Sequence, residues 1–416
     1  MTANWSSRPV QAAIVVLAVA FGLRLGWAAF IPVIPISDSV AYDTLANTLA
    51  THGVYGWNPT EPTTFWPVGT SALYAIIYII FGHNFIAVVG FNIILGTVIV
   101  AQTMWLARSF FDNEIAILAG SLMALWPSEI AYVTILASEL PFIFFVLSGF
   151  CAWYSPNLSK LARGAVSGLA FAAASYVRPI ALLLPIVLWL TDMLNFRQLR
   201  EQLPVMLLAM VVVLASIAPW SIRNTRLYDH FMLLSSNGGV TLWMGNNPDS
   251  NGVYMAPPAS VEKLDEYERD KQLSAAAWRY IVDHPIDFVM RTAKKALLLH
   301  LNETIAVHWN AEGIKQRLGE GAILPLKLLM QAYWSLVLLL ALVGVAMLVR
   351  EDGLIPTLLH PLVATWIYFT TVYSMILVQD RYHFSSHPSI AILSSIPLVW
   401  AIRRVRSARC PIEARS

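Results

Sequence analysis

Seven charged residues of this sequence stand at the ends of long apolar stretches. They are Asp38, Glu129, Glu139, Arg178, Arg223, Asp380 and Arg381, and Arg24 lies deeper inside the first stretch. A charged side chain in or near hydrocarbon costs roughly 2.5 to 3.5 kcal/mol, so each of these residues needs a partner or a function. A carboxylate in such a place could act as a general base, and arginines could bind an anion such as a phosphate.

Each of these residues also has a structural explanation. Asp38 is flanked by two serines, a composition typical of a helix cap. Glu139 opens an apolar stretch, where the helix dipole favours an acid whatever its role. Arg178 and Arg223 could extend to lipid headgroups, and Arg381 could pair with the acid beside it. The residue types alone leave both explanations open.

The composition shows what kind of element must position these residues. Of the 416 residues, 57% are hydrophobic and 12% are charged, and the mean hydropathy is +0.61. These values exclude a water-soluble enzyme, since about 237 apolar residues suffice for about ten membrane spans of roughly 20 residues each. The 27 basic and 25 acidic residues give a net charge of +2, so we expect no nucleic-acid partner. Cys151 lies in an apolar run and Cys410 in a basic tail, so we expect no disulfide.

Ten apolar stretches are candidates for membrane spans. They lie at roughly 10–33, 84–107, 113–128, 136–155, 161–176, 179–194, 203–222, 323–349, 354–378 and 384–402. The first is too long for a signal-peptide core, which predicts an uncleaved signal anchor. A turn at Tyr176-Val-Arg-Pro179 separates two short spans, because proline biases its predecessor away from helix. Residues 72–81 are too few to cross ~30 Å of hydrocarbon and predict a re-entrant or interfacial helix.

Basic residues in alternate short loops place both ends of the chain in the cytoplasm. They are Arg8, Arg108, Lys160, Arg163, Arg197, Arg200, Arg350, Arg403, Arg404, Arg406 and Arg409. Residues 1–402 are then one transmembrane domain, with outward-facing segments at 35–83 and 223–322, and residues 403–416 are a basic cytoplasmic tail.

The outer segments contain one stretch suited to contact a polar ligand. Residues 237–248 are dense in turn formers and include Asn246 and Asn247, although a plain loop turn explains the same pattern. We find no nucleotide-binding or zinc motif in the sequence. Six histidines, at positions 83, 284, 300, 308, 383 and 387, do not form a ligand pattern.

Two further patterns concern packing and anchoring. Residues 288–301 predict an amphipathic helix on the membrane surface, with Lys294 and Lys295 at headgroup level. Gly164 and Gly168 lie four residues apart, which indicates close helix packing rather than dimerisation.

Several short motifs occur along the chain in a fixed order. They are Asp38-Ser-Val-Ala-Tyr42, Gly53-Val-Tyr55, Phe65-Trp-Pro-Val-Gly69, Leu125-Trp-Pro-Ser128, Leu136-Ala-Ser-Glu139, Tyr176-Val-Arg-Pro179, Pro219-Trp-Ser-Ile-Arg-Asn224, Met244-Gly-Asn-Asn-Pro248 and Asp380-Arg-Tyr382. In this order and topology the sequence resembles the GT-C superfamily of integral-membrane glycosyltransferases, in particular the bacterial branch related to protein O-mannosyltransferases and the lipid A aminoarabinose transferase. The resemblance covers nearly the whole chain and implies an all-α, polytopic GT-C-like bundle.

The resemblance also implies roles for residues of the outer face. The acid of the first outer loop, here Asp38, is the catalytic carboxylate of that family, and Glu139 matches a second acid. Many members have Asp-Glu where this chain has Asp-Ser, so a divalent metal stays open and no cofactor is certain. The donor phosphate would be bound by Arg178, Arg223, Arg381 and Tyr382. The substrate would be lined by Tyr42, Trp66, Asn246 and Asn247.

These roles predict an inverting glycosyltransferase of the bacterial inner membrane, with its site facing the periplasm. It would take a sugar from a polyprenyl-phosphate donor to a lipid-linked glycan, a polysaccharide or a protein. A transporter or flippase of lipid-linked glycans is the alternative; the sequence shows no internal repeat, and its charges lie at the outer rim rather than the midplane. A third hypothesis is that the chain is a scaffold subunit with a degenerate site.

Overall fold

The chain is almost entirely helical. The computed structural model describes residues 7–409, so Cys410 and the end of the basic tail lie outside the described residues. The α-helices are α1 (Ser7–Phe30), α2 (Asp38–His52), α3 (Gly69–Phe81), α4 (Phe85–Phe110), α5 (Asn113–Leu125), α6 (Pro127–Ala131), α7 (Glu139–Trp153), α8 (Lys160–Val177), α9 (Leu184–Leu190), α10 (Phe196–Tyr228), α11 (Gly238–Gly245), α12 (Glu266–Asp283), α13 (Pro285–Leu301), α14 (Ile305–Trp309), α15 (Ala311–Leu318), α16 (Ile323–Asp352), α17 (Leu354–Leu358), α18 (Pro361–Met375) and α19 (His387–Arg409). Strands β1 (Gly56–Asn58) and β2 (Glu61–Pro62) form a small antiparallel hairpin.

Five helical segments are long and apolar enough to cross a membrane, judged by length and composition. They are Pro9–Phe30, Phe85–Phe110, Phe196–Tyr228, Glu320–Asp352 and Tyr382–Ser407. Helix α5 and the segment 127–134 make a sixth if they count as one span, bent by 54°. The polytopic, all-α prediction is confirmed, whereas the count of ten spans stays a prediction.

Prolines interrupt several of the predicted spans. Helix α5 ends before Pro127, and the stretch predicted at 354–378 is divided into α17 and α18, which begins at Pro361. A proline cannot donate the helical hydrogen bond and restricts the residue before it, so a new helix starts there. The turn expected before Pro179 is confirmed, because α8 ends at Val177 and Arg178 is extended. Helix α3 has 13 residues, as expected for a helix too short to cross.

Glycine lets two neighbouring spans approach closely. A Cβ at Gly164 would lie 3.0 Å from the carbonyl oxygen of Val205, and one at Gly168 would lie 2.8 Å from that of Ala209. The backbone of α8 therefore touches α10, and the interpretation of these glycines as packing residues is confirmed.

The two lysines of α13 have different surroundings. Lys294 is exposed, but Lys295 is buried, so the expectation of headgroup contact is wrong for Lys295. Its Nζ donates to the carbonyl oxygens of Gly245 at 3.1 Å and Ile376 at 3.0 Å. These carbonyls end α11 and α18, where backbone acceptors have no partner inside their own helix. Lys295 thus joins α13 to the ends of two other helices.

We expect the stability of the folded chain to rise with pH between about 8 and the ordinary lysine value of about 10.4. Burial, and more weakly the charge of Arg291, lowers the pKa of Lys295 to about 8. In this window the unfolded chain still holds the proton that the folded chain has released, so unfolding becomes less favourable as pH rises, by at most about 1.4 kcal/mol per pH unit. Thermal unfolding of Lys295→Met should lack this slope, and the adjacent control Lys294→Met should retain it. Equal slopes in the two variants would contradict the assignment.

The predicted orientation can be tested by cysteine labelling. With Cys151 and Cys410 replaced by serine, Ser260→Cys should react with a membrane-impermeant maleimide in intact spheroplasts, and Asn157→Cys only after the membrane is permeabilised. Both side chains are exposed, so a difference in reactivity reports the side of the membrane rather than burial. The reverse pattern would invert the topology.

Candidate functional site

Asp38 faces an arginine from the far end of the chain. It is the first residue of α2, and its carboxylate accepts a hydrogen bond from Nη2 of Arg381. The capping explanation is wrong, because the cap position belongs to Ser37, whose side chain makes no cap bond. The φ of Ser37 is +52°, a conformation that costs a non-glycine residue of order 1–3 kcal/mol. The strained residue, Ser37, therefore lies directly before Asp38, the acid that contacts Arg381.

Arg178 lies where α8 ends and holds several partners. Its Nε and Nη2 donate to Oγ of Ser138 at 3.0 and 2.8 Å, its Nη1 donates to the hydroxyl of Tyr373 at 3.1 Å, and its Nη2 donates to the carboxylate of Glu139. The guanidinium is also 5.7 Å from the centre of the Phe142 ring. With only 11% of its side chain exposed, Arg178 does not extend to headgroups.

Glu139 links the two arginines. Its side chain is fully buried at the start of α7, and its Oε1 lies 3.6 Å from Nη1 of Arg381 while also pairing with Arg178. Asp38, Arg381, Glu139 and Arg178 therefore form an alternating row of two negative and two positive charges, which we call the charge row. Burying four charges is tolerable because each has an opposite neighbour. Glu139 contacts both guanidinium groups from its buried position at the start of α7.

Tyr382 covers the same two arginines. Its ring centre is 5.4 Å from the guanidinium carbon of Arg178 and 5.6 Å from that of Arg381, within the range of cation–π attraction. It stacks on Tyr373 with ring centres 4.6 Å apart. Arg381 also lies 4.6 Å from the ring of Trp309. Aromatic faces and carboxylates thus fix both guanidinium planes.

Two cavities meet at the charge row. The smaller has a volume of about 220 Å³ and contains Arg178 in its lining; the larger has a volume of about 1020 Å³. Seven residues line both: Asp38, Trp66, Asn237, Thr241, Leu377, Arg381 and Tyr382. Asp38 and Arg381 therefore stand at the junction, where a molecule in either cavity can reach them.

The linings of the two cavities differ in character. Around Arg178 the smaller cavity is apolar, with Val177, Ile180, Val372 and Ile376. The larger adds aromatic and polar groups: Trp57, Phe65, Arg269, His308 and Trp309. The smaller cavity suits a lipid-linked anion, and the larger suits a bulkier polar molecule.

Tyr42 and Trp66 lie next to the charge row. Both line the smaller cavity, and their rings meet edge to face with centres 5.5 Å apart. Tyr42 is buried in α2, one turn after Asp38, so it shares the face of the helix that presents the acid.

The structure does not bring Arg223, Asn246 or Asn247 to the cavities. Arg223 donates to the carbonyl oxygens of Thr63 at 2.7 Å and Tyr55 at 3.1 Å and so holds the first outer segment in place. The amides of Asn246 and Asn247 are buried and donate to backbone carbonyls one turn earlier, at 2.9 and 2.8 Å. Phosphate binding by Arg223 and substrate contact by the asparagines are without support in this geometry.

Sequence reasoning missed some partners and a histidine pair. Ser138 and Tyr373 hold Arg178, and Trp309 covers Arg381; only the position of Ser138 beside Glu139 gave a signal. The statement that the histidines form no ligand pattern is wrong for His383 and His387, which converge on Glu303. Their four-residue spacing is the signal that could have found them.

The charge row does not fit a catalytic divalent cation. Carboxylates that bind such an ion point their oxygens at it together. Here Asp38 points at Arg381, and Glu139 is separated from it by the guanidinium groups. The positive charge at this position is supplied by arginine.

Comparisons with solved structures show the fold. This chain is similar to the archaeal oligosaccharyltransferase from Archaeoglobus fulgidus in the apo form, with a TM-score of 0.59 and 14% identity over 98% of this chain and 52% of that one. A complex of that organism's enzyme AglB with an inhibitory peptide and a dolichol-phosphate gives a TM-score of 0.58 and 13% identity, over 99% and 52%. ArnT from Cupriavidus metallidurans bound to undecaprenyl phosphate gives 0.58 and 14%, over 95% and 62%.

The chain thus spans about half the length of the oligosaccharyltransferases. No family model and no curated protein sequence matches it. At this identity the likeness establishes a GT-C-like fold, as the sequence resemblance implied.

Replacing Glu139 should test the charge row. We expect Glu139→Ala to lower the free energy of unfolding by about 3 to 5 kcal/mol, because Arg178 and Arg381 stay buried without it. The control is Glu114→Ala, which removes an acid paired with Arg403 and Arg406 at the exposed surface and should cost about 0 to 1 kcal/mol. Chemical denaturation in detergent measures both, and equal effects would contradict the burial of the row.

Proposed function

We propose that this chain is an inverting glycosyltransferase. It transfers a sugar from a polyprenyl-phosphate donor to an envelope acceptor on the periplasmic face of the bacterial inner membrane. The observation that carries the proposal is the Asp38–Arg381 ion pair at the junction of two cavities. At such a junction Asp38 can act as a base on one substrate while Arg381 binds the phosphate of the other, and the two substrates can enter from different cavities.

The donor phosphate binds in the smaller cavity. Arg178 and Arg381 line it, and the apolar residues around Arg178 accept the first part of a polyprenyl chain. Nη2 of Arg381, which donates to Asp38, is the atom for which a bound phosphate would compete. Support comes from the solved proteins of this fold, since ArnT is bound to undecaprenyl phosphate and AglB is in complex with a dolichol-phosphate.

The sugar lies at the junction and the acceptor enters from the larger cavity. The acceptor hydroxyl attacks the anomeric carbon from the face opposite the phosphate, the bond from this carbon to the phosphate oxygen breaks, and Asp38 takes the hydroxyl proton. Attack from the opposite face inverts the configuration at the anomeric carbon. The arginines stabilise the charge on the departing polyprenyl phosphate.

Arg381 changes its partner during this sequence. Without donor it neutralises Asp38, and a bound phosphate competes for the same guanidinium. Asp38 is then released to accept a proton only when the donor is present. Glu139 keeps Arg381 in place during the exchange, because it holds the guanidinium from the buried side.

The larger cavity determines the acceptor. Its aromatic rings, among them Trp57, Phe65 and Trp309, suit stacking against a sugar or lipid headgroup. Tyr42 and Trp66 line the donor side. Acceptors to be tested are therefore a lipid-linked glycan, a polysaccharide repeat unit and a protein hydroxyl.

The test is transfer of labelled sugar from a panel of polyprenyl-phosphate sugars into membranes that contain the chain. We expect one donor to support transfer. Asp38→Asn should reduce the rate of transfer about 10²- to 10⁴-fold, which is the usual contribution of a general base. The matched control is Asp43→Asn on the same helix. Asp43 accepts from the hydroxyl of Tyr78 at 2.6 Å and lines neither cavity, so its replacement should leave transfer within a few-fold.

The transporter hypothesis makes the opposite prediction. If no donor supports transfer, while membranes with wild type and with Asp38→Asn move labelled lipid across the bilayer equally well, the glycosyltransferase assignment is overturned. Loss of transfer in Asp43→Asn together with Asp38→Asn would show that α2 matters for folding rather than for proton transfer.

A further inference from the structure

A second cluster of ionisable groups lies in the core, apart from both cavities. Glu303 lies between α13 and α14, His383 precedes α19, and His387 is its first residue. All three are buried, with 1%, 1% and 0% of their surface exposed. Within residues 7–409, Glu303 has no lysine or arginine as an ion-pair partner. A carboxylate buried in this way is costly unless a cation or a proton compensates it.

The Nδ1 atom of each imidazole already makes a hydrogen bond. Nδ1 of His383 donates to the carbonyl oxygen of Leu299 at 2.8 Å, since a carbonyl can only accept. Nδ1 of His387 donates to the carboxylate of Glu129 at 2.7 Å. Each neutral ring therefore has its lone pair on Nε2, and both Nε2 atoms point toward Glu303.

Three acceptor atoms then face one another without hydrogen. Oε2 of Glu303 lies 3.4 Å from Nε2 of His383 and 3.6 Å from Nε2 of His387. In the part of the chain described, none of these three atoms has a hydrogen-bond partner, although all are buried. Ligand atoms around a tetrahedral zinc ion, at about 2.0 to 2.1 Å from the metal, are about 3.4 Å from each other. The two distances to Glu303 match this value, and all three ligand atoms lie within 4.8 Å of one another.

We propose that Glu303, His383 and His387 bind a zinc ion. Two imidazoles and one carboxylate are a typical zinc donor set. Glu129 supplies the carboxylate–histidine contact that orients metal ligands, and the carbonyl of Leu299 does the same for the other ring. Oε1 of Glu303 accepts from Nε1 of Trp126 at 2.7 Å and from Ser128, which leaves Oε2 for the metal.

Tryptophan rings hold the imidazoles in this arrangement. Trp126 stacks on His387 with ring centres 4.1 Å apart, and Trp334 stacks on His383 at 4.2 Å. The ligands are thus fixed before the ion binds, which reduces the entropy lost on binding. All three ligands are buried, and the attraction between a cation and a carboxylate is stronger there than in water.

The ion would be structural. It joins the segment after α13 to the start of α19, and Arg381 lies two residues before His383. None of the three ligands lines either cavity. Zinc at this place fixes the turn that presents Arg381 without touching the substrate.

Metal content of the full-length protein tests the proposal. Protein purified in detergent, loaded with Zn²⁺ and desalted should retain about one zinc per chain by mass spectrometry of the metal. Substitution with Co²⁺ should give the visible absorption of a four-coordinate cobalt ion, whose fourth ligand is a water because the chain supplies three. Glu303→Gln and His387→Gln should retain at least ten-fold less metal. His300→Gln is the control, since this neighbouring imidazole accepts from Trp366 and is not among the ligands.

If the ligand variants do not fold, the wild-type protein alone tests the metal site. A chelator should then lower its melting temperature, and added Zn²⁺ should restore it. Wild type that retains no metal and gives no cobalt absorption overturns the proposal and assigns the cluster to a shared proton. Equal metal retention by wild type, Glu303→Gln and His387→Gln would place the ion elsewhere and overturn it as well.

Discussion

The candidate site of this protein depends on one electrostatic constraint: four charges lie side by side, two of them buried and two partly buried. Asp38, Arg381, Glu139 and Arg178 come from four separate segments, and each is tolerable only because its neighbours carry the opposite charge. The constraint fixes the relative positions of α2, α7, the end of α8 and the turn before α19. Asp38 and Arg381 line both cavities, so the pairing of the charges fixes the place where the two cavities meet.

The sequence predicts the members of the charge row because charge beside an apolar stretch is rare and costly. It cannot predict which member faces which, since the partners are brought together by helix packing across the whole chain. Arg223 shows the limit: the same argument selected it, yet its guanidinium is used on backbone carbonyls of the first outer segment. Lys295 shows the opposite failure, because its burial depends on the ends of two other helices.

The sequence predicts helix boundaries where a proline sets them, as at Pro179. It predicts them less well where two short helices lie in one apolar stretch. The break between α17 and α18 follows from Pro361, but hydropathy alone joins the two. The histidine pair was missed because its third partner, Glu303, is distant in sequence and carries no motif. The sequence predicts features that depend on neighbouring residues, such as helix ends at proline. It does not predict which distant residues the fold brings together.

The ion pair at the centre of the site joins residues 343 positions apart. At a synthesis rate of about 5 to 20 residues per second, the ribosome needs roughly 20 to 70 seconds to make Arg381 after Asp38. During this interval α2 is already outside the ribosome, with its acid unpaired. Glu139 and Arg178 can pair early, but the Asp38–Arg381 pair forms only after the turn that contains Arg381 has been made. A chain that stops before Arg381 would contain most of the bundle but would leave Asp38 without this partner.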